Sequence, residues 1–165
     1  MPTAIPVLFP HSVRNNLHAL RFVASETPMC KGILIVDDNA PARKVLRVAL
    51  EQAGYSVCAE AVDGLDAVDK ASELKPALIV LDLRLPRLNG IEAAHILRGR
   101  LPSTPIVLFT MFEVNPSLVS GAGISAIVRK SDGFQKLAAS IQSFLPPNGN
   151  GNGKGAGAPV APLAS

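Results

Sequence analysis

Aromatic side chains are scarce in this sequence: its 165 residues include six Phe, one Tyr and no Trp. An aromatic-rich β-sandwich is therefore a poor fit, and the core has to be aliphatic, which suits a buried parallel sheet. No uncharged apolar run approaches the ~18 residues that a membrane-spanning helix needs, so the sequence predicts a soluble protein without membrane contacts. The N-terminal region also lacks the basic and apolar segments of a secretory signal.

Charged residues give no sign of a nucleic-acid partner. The net charge is +3, and the basic residues are spread along the chain without a Lys/Arg run that could follow a phosphate backbone. The two cysteines, Cys30 and Cys58, are too few for a disulfide framework and lack the spacing of metal ligands. We therefore expect reduced thiols in a cytoplasmic protein.

Composition divides the chain into three zones. Residues 1–28 are interrupted by prolines, and helical spacing of apolar residues occurs there only over 12–24. This extension is either the product of a start codon upstream of a natural one at Met29 or a docking arm. Residues 146–165 are rich in Gly, Pro and Asn and predict a disordered tail. The regular block over 29–145 predicts one folded domain.

That central block alternates short apolar runs with helical patterns. Five apolar runs predict strands, at 32–36, 55–59, 77–81, 105–109 and 124–128. The intervening helices are predicted at 40–53, 64–74, 91–98 and, weakly, 113–120, where Pro116 interrupts the pattern, and a last helix opens at Asp132. Five such units imply an α/β fold, with a doubly wound five-stranded parallel sheet covered by helices on both faces.

Spacing also predicts which helical residues face the core. Asn39 is expected to cap the first helix and Gly54 to follow its end, while Asp132 and Gln135 have the spacing of a capping box. The predicted inward residues are Val45, Leu46, Ala49 and Leu50 in the first helix, Leu65, Val68 and Ala71 in the second, and Phe134, Leu137, Ala138 and Ile141 in the last.

Polar side chains follow four of the five predicted strands. Asp37 and Asp38 follow the first strand, Asp82 the third, Thr110 the fourth, and Lys130 lies just beyond the fifth. Right-handed crossovers place the carboxyl ends of all five strands at one edge of the sheet, so these side chains should meet there. Three converging carboxylates repel one another unless a cation is present, and Mg²⁺ suits hard oxygen ligands. Together with a lysine and a hydroxyl, they predict a phosphoryl site.

Four segments carry these residues in order: ILIVDDN (33–39), VLDLRLPRLNGIE (80–92), IVLFT (106–110) and AIVRKS (126–131). In spacing and order they resemble the receiver domains of two-component response regulators. The likeness extends over about residues 31–145. It implies a flavodoxin-like sheet with the strand order 2-1-3-4-5.

The resemblance also implies a role for each carboxylate at the sheet edge. Asp82 corresponds to the phospho-acceptor, whose carboxylate takes a phosphoryl group from a phosphohistidine. The Mg²⁺ cofactor would bind Asp38 directly, Asp37 mainly through a metal-bound water, and both Asp82 and the backbone carbonyl of Arg84.

The resemblance gives the two remaining strand-end residues contacts with the phosphoryl group. Thr110 would hydrogen-bond one phosphoryl oxygen, and Lys130 would form an ion pair with another. Enzymatic activity is expected only as self-phosphorylation and autodephosphorylation. A phosphatase acting on small phosphoesters is disfavoured, because Arg84 stands where such an enzyme would need a second acid/base Asp.

Several positions depart from the usual family pattern. Ile127 stands where members usually carry a Tyr or Phe that acts as a switch, and Met111 stands where Ala or Gly is commoner. Arg84 and Phe112 are expected to flank the mouth of the pocket. Because these bulky side chains would shield the site, we expect a long-lived phosphoryl group.

The predicted function is that of a single-domain response regulator, because the sequence after residue 145 leaves no room for an output domain. Its phosphodonor would be a sensor histidine kinase or a histidine phosphotransfer protein. It would act as a phosphorelay shuttle or as a switch that binds a downstream protein through the fourth helix, fifth strand and last helix. The alternative is a pseudo-receiver, a protein-interaction module that phosphorylation does not control.

Overall fold

The computed structural model describes residues 30–147. The predicted helix over 12–24 and almost all of the predicted tail lie outside these residues. Within the described part, five parallel strands form one sheet in the order β2-β1-β3-β4-β5. This confirms the predicted sheet and its strand order. None of the helices described is long and apolar enough to span a bilayer.

Strands and helices alternate along the chain. The strands are β1 (Ile33–Val36), β2 (Val57–Ala61), β3 (Leu78–Leu81), β4 (Ile106–Thr110) and β5 (Ala126–Arg129). The helices are α1 (Ala40–Gln52), α2 (Gly64–Leu74), α3 (Gly90–Arg100), α4 (Pro116–Val119) and α5 (Gly133–Gln142), with a 3₁₀ turn over Lys130–Asp132.

Alternate residues of the central strands pack against opposite layers of helices. Leu34 and Val36 of β1 face α2 and α3, in a core that includes Ala67, Val68, Ala93 and Leu97. Ile33 and Ile35 face α1 and α5, in a core that includes Leu46, Leu50, Leu137 and Ile141. Burial on both faces explains why β1 and β3 read as continuous aliphatic runs rather than alternating patterns.

Strands β2 and β5 begin two residues later than predicted. The amide of the buried Tyr55 donates to the carbonyl of Leu50 at 3.0 Å, so this residue closes the end of α1 instead of starting β2. The amide of Ser125 reaches the carbonyl of Ile106 before β5 starts at Ala126. In both places an apolar residue of the connecting turn resembles the first residue of a strand.

Two apolar residues predicted to face the core are exposed to solvent instead. Val45 is 70% exposed, because the buried positions of α1 are Leu46 and Leu50, and Val45 lies beside that line at a groove next to α5. Leu65 is 42% exposed, because the buried line of α2 runs through Val68 and Ala71 and excludes it.

Helix termini are only partly as predicted. Asn39 caps α1 by accepting a hydrogen bond from the amide of Ala42 at 2.9 Å, and Gly54 takes a left-handed φ of 86° after the helix. The predicted capping box at Asp132 is wrong, because Asp132 has helical backbone angles and makes no side-chain cap. It belongs to the preceding 3₁₀ turn, and its carboxylate lies 3.6 Å from Arg129.

The fourth helix is reduced to a single turn. Pro116 was expected to interrupt a longer helix, but it is the first residue of α4, which ends at Val119. Proline fits that position because the first helical amide has no carbonyl partner within the helix. The segment between β4 and β5 therefore contains little regular structure.

Candidate functional site

The carboxyl ends of the strands bring most of the predicted polar residues to one edge of the sheet. Asp37 and Asp82 follow the neighbouring strands β1 and β3, and their side chains are almost completely buried. Thr110 ends β4 and is completely buried, whereas Asp38 is exposed. Buried polar residues are uncommon unless they have partners, so this cluster needs a chemical explanation.

Asp37, Asp38 and Asp82 form a group of carboxylates suited to a metal ion. Each offers one oxygen, and these oxygens all lie within 4.8 Å of one another. Hard oxygen donors on one exposed and two buried residues fit Mg²⁺, which usually keeps several waters and binds a few carboxylates. The predicted convergence of the three carboxylates is therefore what the structure has.

Lys130 joins the two buried carboxylates. Its Nζ donates to Oδ2 of Asp37 at 2.6 Å and to Oδ2 of Asp82 at 2.5 Å. Burial lowers the pKa of Lys130, but the hydrogen bonds and charges of the two carboxylates outweigh this effect and raise the pKa above its usual value. The lysine therefore stays charged at neutral pH and offsets part of the repulsion between the carboxylates.

Backbone amides orient the second oxygen of each buried carboxylate. Oδ1 of Asp37 accepts from the amide of Asn39 at 2.8 Å, and Oδ1 of Asp82 accepts from the amide of Leu83 at 2.6 Å. The backbone carbonyl of Asp37 also accepts from Arg43 at 2.7 Å. Both carboxylates are thus held by backbone amides that follow their own strands.

Thr110 lies at the end of the next strand along the edge. Its Oγ1 accepts from the amide of Phe112 at 3.3 Å, while Lys130 makes the direct contacts with Asp82. Lys130 therefore contacts Asp37 and Asp82, and Asp38 lies close to both carboxylates. Thr110 lies at the end of the neighbouring strand.

An open cleft of about 500 Å³ lies beside the carboxylates. Its lining residues follow β1, connect β3 with α3, or begin α3: Asp38, Leu83, Arg84, Leu85, Pro86, Asn89 and Ile91. The guanidinium of Arg84 lies 4.7 Å from the ring centre of Phe112. Arg84 thus lines the cleft and Phe112 packs against it, whereas Met111 is 64% exposed.

Sequence reasoning missed one residue near the site, Arg87. Its Nε donates to Oδ2 of Asp63 at 2.8 Å, and its second guanidinium nitrogen contacts the same oxygen. Arg87 is 24 positions from Asp63 and follows a proline in a connecting segment, and neither feature indicates a partner. Asp63 lies directly before α2 and caps it, accepting from the amides of Leu65 and Asp66.

Residues 33–142 match the sequence model of the family described as the response regulator receiver domain. The chain belongs to this family. The predicted membership in two-component signalling is thereby confirmed.

Two known proteins with similar sequences support the assignment to this family. An uncharacterized transcriptional regulatory protein, YkoG of Bacillus subtilis (strain 168), is 37% identical over 119 residues, which cover 71% of this chain and 52% of YkoG. The chemotaxis protein CheY of Thermotoga maritima is 40% identical over 80 residues, covering 48% of this chain and 67% of CheY. The chain thus matches about half the length of the first of these relatives.

One similar solved structure is that of a receiver domain with a bound metal ion. The receiver domain of the sensor histidine kinase PA1611 from Pseudomonas aeruginosa PAO1 superposes with a TM-score of 0.63 at 27% identity, covering 70% of this chain and 98% of that domain. That structure has a magnesium ion coordinated in its active-site cleft. Magnesium is therefore a cofactor of receiver domains, and the carboxylate group of this chain is suited to it.

Proposed function

We propose that this receiver domain accepts a phosphoryl group on Asp82 from a phosphohistidine of a sensor histidine kinase or a histidine phosphotransfer protein. The carboxylate oxygen forms a bond to phosphorus while the bond between phosphorus and the imidazole nitrogen breaks, and the released imidazole takes up a proton. The product on Asp82 is an acyl phosphate. Catalysis by the chain is limited to this transfer and to the later hydrolysis.

The observation that carries the proposal is the position of Lys130. A lysine held 2.5 Å from Oδ2 of Asp82 and 2.6 Å from Oδ2 of Asp37 offers a cation next to the acceptor oxygen. Developing negative charge on a transferring phosphoryl group is stabilised by such a pre-positioned cation. Lys130 would move its hydrogen bond from the acceptor carboxylate to a phosphoryl oxygen, and the hydroxyl of Thr110 would donate to another.

Asp37, Asp38, Asp82 and the backbone carbonyl of Arg84 are the groups that would hold Mg²⁺. When bound, the ion neutralises charge on the carboxylates and on the phosphoryl oxygens. The three carboxylates carry more negative charge than the single ammonium of Lys130 offsets, so without a further cation an incoming phosphate group would be repelled. This requirement makes the proposed transfer dependent on Mg²⁺.

The signal would leave the domain through a protein contact that phosphorylation controls. The surface formed by α4, β5 and α5 is our proposed contact face, and Ile127 on β5 is 39% exposed there. Phosphorylation would change the populations of conformations that this face already samples. The chain could equally pass its phosphoryl group to a second histidine, as a phosphorelay shuttle does.

Incubation with Mg²⁺ and acetyl phosphate, followed by intact-mass spectrometry, tests the proposal. We expect the wild-type protein to gain the mass of one phosphoryl group, and Asp82→Asn to gain none, because an amide oxygen is a far weaker nucleophile. Asp69→Asn, which removes an exposed carboxylate from α2, is the matched control and should be modified like the wild type. Omitting Mg²⁺ should abolish the mass gain.

An unmodified wild-type protein would contradict the proposal. Ile127 replaces the usual switch aromatic, and this departure favours the alternative of a pseudo-receiver. A module of that kind would bind its partner equally well with and without phosphodonor. Modification of Asp82→Asn to the wild-type extent would also contradict the proposal, because the phosphoryl group would then be on another residue.

A further inference from the structure

Asp63 and Arg87 form an ion pair outside the carboxylate group at the sheet edge. Oδ2 of Asp63 accepts from Arg87, with Nε at 2.8 Å. Oδ1 of Asp63 accepts from the amides of Leu65 and Asp66, each at 3.0 Å. Asp63 is only 4% exposed, and both of its oxygens are occupied. A buried carboxylate that loses such a partner is left without compensation for its lost hydration.

Arg87 belongs to the acceptor loop, which we define as residues 83–89 between Asp82 and α3. Its backbone has a φ of 63°, the left-handed conformation that residues with a Cβ normally avoid. The amide of Leu88 donates across this residue to the carbonyl of Pro86 at 2.7 Å, and a contact of the side chain adds to this backbone hydrogen bond. The ion pair with Asp63 supplies such a contact.

Close packing fixes the acceptor loop at its second half. A Cβ added to Gly64 of α2 would overlap the backbone carbonyl of Leu88, and one added to Gly90 would overlap the backbone oxygen of Asp82. The amide of Gly90 also donates to the carbonyl of Leu83 at 2.9 Å. The loop is therefore pressed between the start of α2 and the end of the acceptor strand. The ion pair between Arg87 and Asp63 links the loop to the residue that caps α2.

We propose that Asp63 and Arg87 are positioning residues for the metal site: they hold the acceptor loop so that the backbone around Arg84 is pre-organised beside the carboxylates. This inference rests on the proposed function, which places the carbonyl of Arg84 among the Mg²⁺ ligands. Neither Asp63 nor Arg87 is among the residues proposed to bind the metal or the phosphoryl group. Groups that orient metal ligands in this way commonly change metal affinity by about 10- to 100-fold when they are removed.

Titration with Mg²⁺ alone, followed through the backbone amide signals of the acceptor loop by NMR, measures this effect directly. We expect Arg87→Ala and Asp63→Asn each to raise the dissociation constant for Mg²⁺ about tenfold. Asn is itself a good helix cap, so Asp63→Asn removes the charge and retains the cap of α2. The double variant should bind no more weakly than either single variant, because both changes break one interaction.

Arg100→Ala is the matched control for the loss of an arginine that links α2 with α3. Arg100 donates to Oγ of Ser72 at 3.1 Å at the far ends of these helices, away from the acceptor loop. This variant should bind Mg²⁺ as the wild type does. Arg87→Lys should recover part of the lost affinity, since a lysine can still pair with Asp63 but cannot form the two-nitrogen contact.

The inference is overturned if Asp63→Asn, folded by its amide spectrum, binds Mg²⁺ within twofold of the wild type. It is also overturned if Arg100→Ala weakens binding as much as Arg87→Ala does, because the effect would then be general to the α2–α3 contact. The titration contains no phosphodonor. A wild-type protein that binds Mg²⁺ but gains no phosphoryl group would therefore contradict the proposed function. The dissociation constants of the variants for Mg²⁺ would still decide whether Asp63 and Arg87 position the metal site.

Discussion

Two segments leave the carboxyl edge of the sheet beside the candidate site, and they are held very differently. The acceptor loop is fixed by the Asp63–Arg87 ion pair and by two glycines whose neighbours leave no room for a Cβ. The segment over 111–125, which we call the β4–β5 segment, contains only the single turn of α4. Near its start, the side chain of Phe112 is 42% exposed.

This contrast separates two tasks that a phosphorylation-controlled domain has to perform. Residues that hold a metal and an acceptor carboxylate gain from a fixed geometry, because mobile ligands weaken binding. Residues that report phosphorylation need at least two conformations of similar free energy. The acceptor loop is held in the way that the first task requires, and the β4–β5 segment, with its single helical turn, is the segment that we propose for the second task.

The largest expected difference between the two segments is in their tolerance of a single methyl group. Gly90→Ala should lower the free energy of unfolding by about 3 kcal/mol, because the new Cβ would overlap the backbone oxygen of Asp82. Gly121→Ala, in the β4–β5 segment, should cost only about 1 kcal/mol. Its left-handed φ of 86° disfavours alanine, but no atom lies within 4 Å of the new methyl.

Urea denaturation of both variants, followed by circular dichroism, measures the two costs. The contrast would be lost if the two substitutions lowered the free energy of unfolding equally. A Gly90→Ala variant as stable as the wild type would show that the acceptor loop can move away from the strand end.

A smaller effect is expected where the two segments touch, at the contact between Arg84 and Phe112. The guanidinium lies 4.7 Å from the ring centre, and an exposed cation–π contact is worth about 0.5–1 kcal/mol. If this pair shields the acyl phosphate from water, Phe112→Ala should shorten the half-life of the phosphorylated form about threefold. The half-life is followed by mass spectrometry after the phosphodonor has been removed.

Phe144→Ala serves as the control, because Phe144 is similarly exposed but follows α5 away from the site. Its half-life should equal that of the wild type. An unchanged half-life in Phe112→Ala would remove the basis for a long-lived phosphoryl group. Loss of the phosphoryl group from the wild type within seconds would also contradict that expectation.

Most of the fold and the core of the candidate site could be predicted, because both depend on local patterns. Aliphatic runs followed by Asp37, Asp82 and Thr110 mark strand ends, and parallel topology brings strand ends together. Lys130 was predicted for the same reason. The roles proposed for these residues came from the family resemblance and await the experiments described above.

What could not be predicted depends on contacts between residues far apart in the sequence. The partner of Asp63 is 24 positions away, and the left-handed backbone of Arg87 has no signature in the residue type. The same limit explains the errors at Val45 and Leu65. Helical spacing identifies an apolar stripe, but which edge of that stripe is covered depends on how the neighbouring helices pack.

The smallest expected effect is on how the free energy of unfolding depends on pH. We expect this dependence at the ion pair that holds the acceptor loop and not in the β4–β5 segment. Burial raises the pKa of Asp63, but the hydrogen bond from the amide of Asp66 and the ion pair with Arg87 outweigh it, so the pKa lies below its usual value. A carboxyl group with a lowered pKa stabilises the folded state above the unfolded-state value of about 4. That contribution is lost as the pH falls through the folded-state pKa.

Asp63→Asn should therefore be less stable than the wild type at neutral pH, and the difference should shrink as the pH is lowered to about 3. Glu113→Gln is the counterpart in the β4–β5 segment, where the glutamate side chain is 91% exposed and lies 3.3 Å from Arg129. Because exposed ion pairs contribute little, this variant should match the wild type at every pH. Urea denaturation across this pH range measures both differences. A gap between wild type and Asp63→Asn that stays constant down to about pH 3 would mean that the ionised carboxylate does not fasten the acceptor loop.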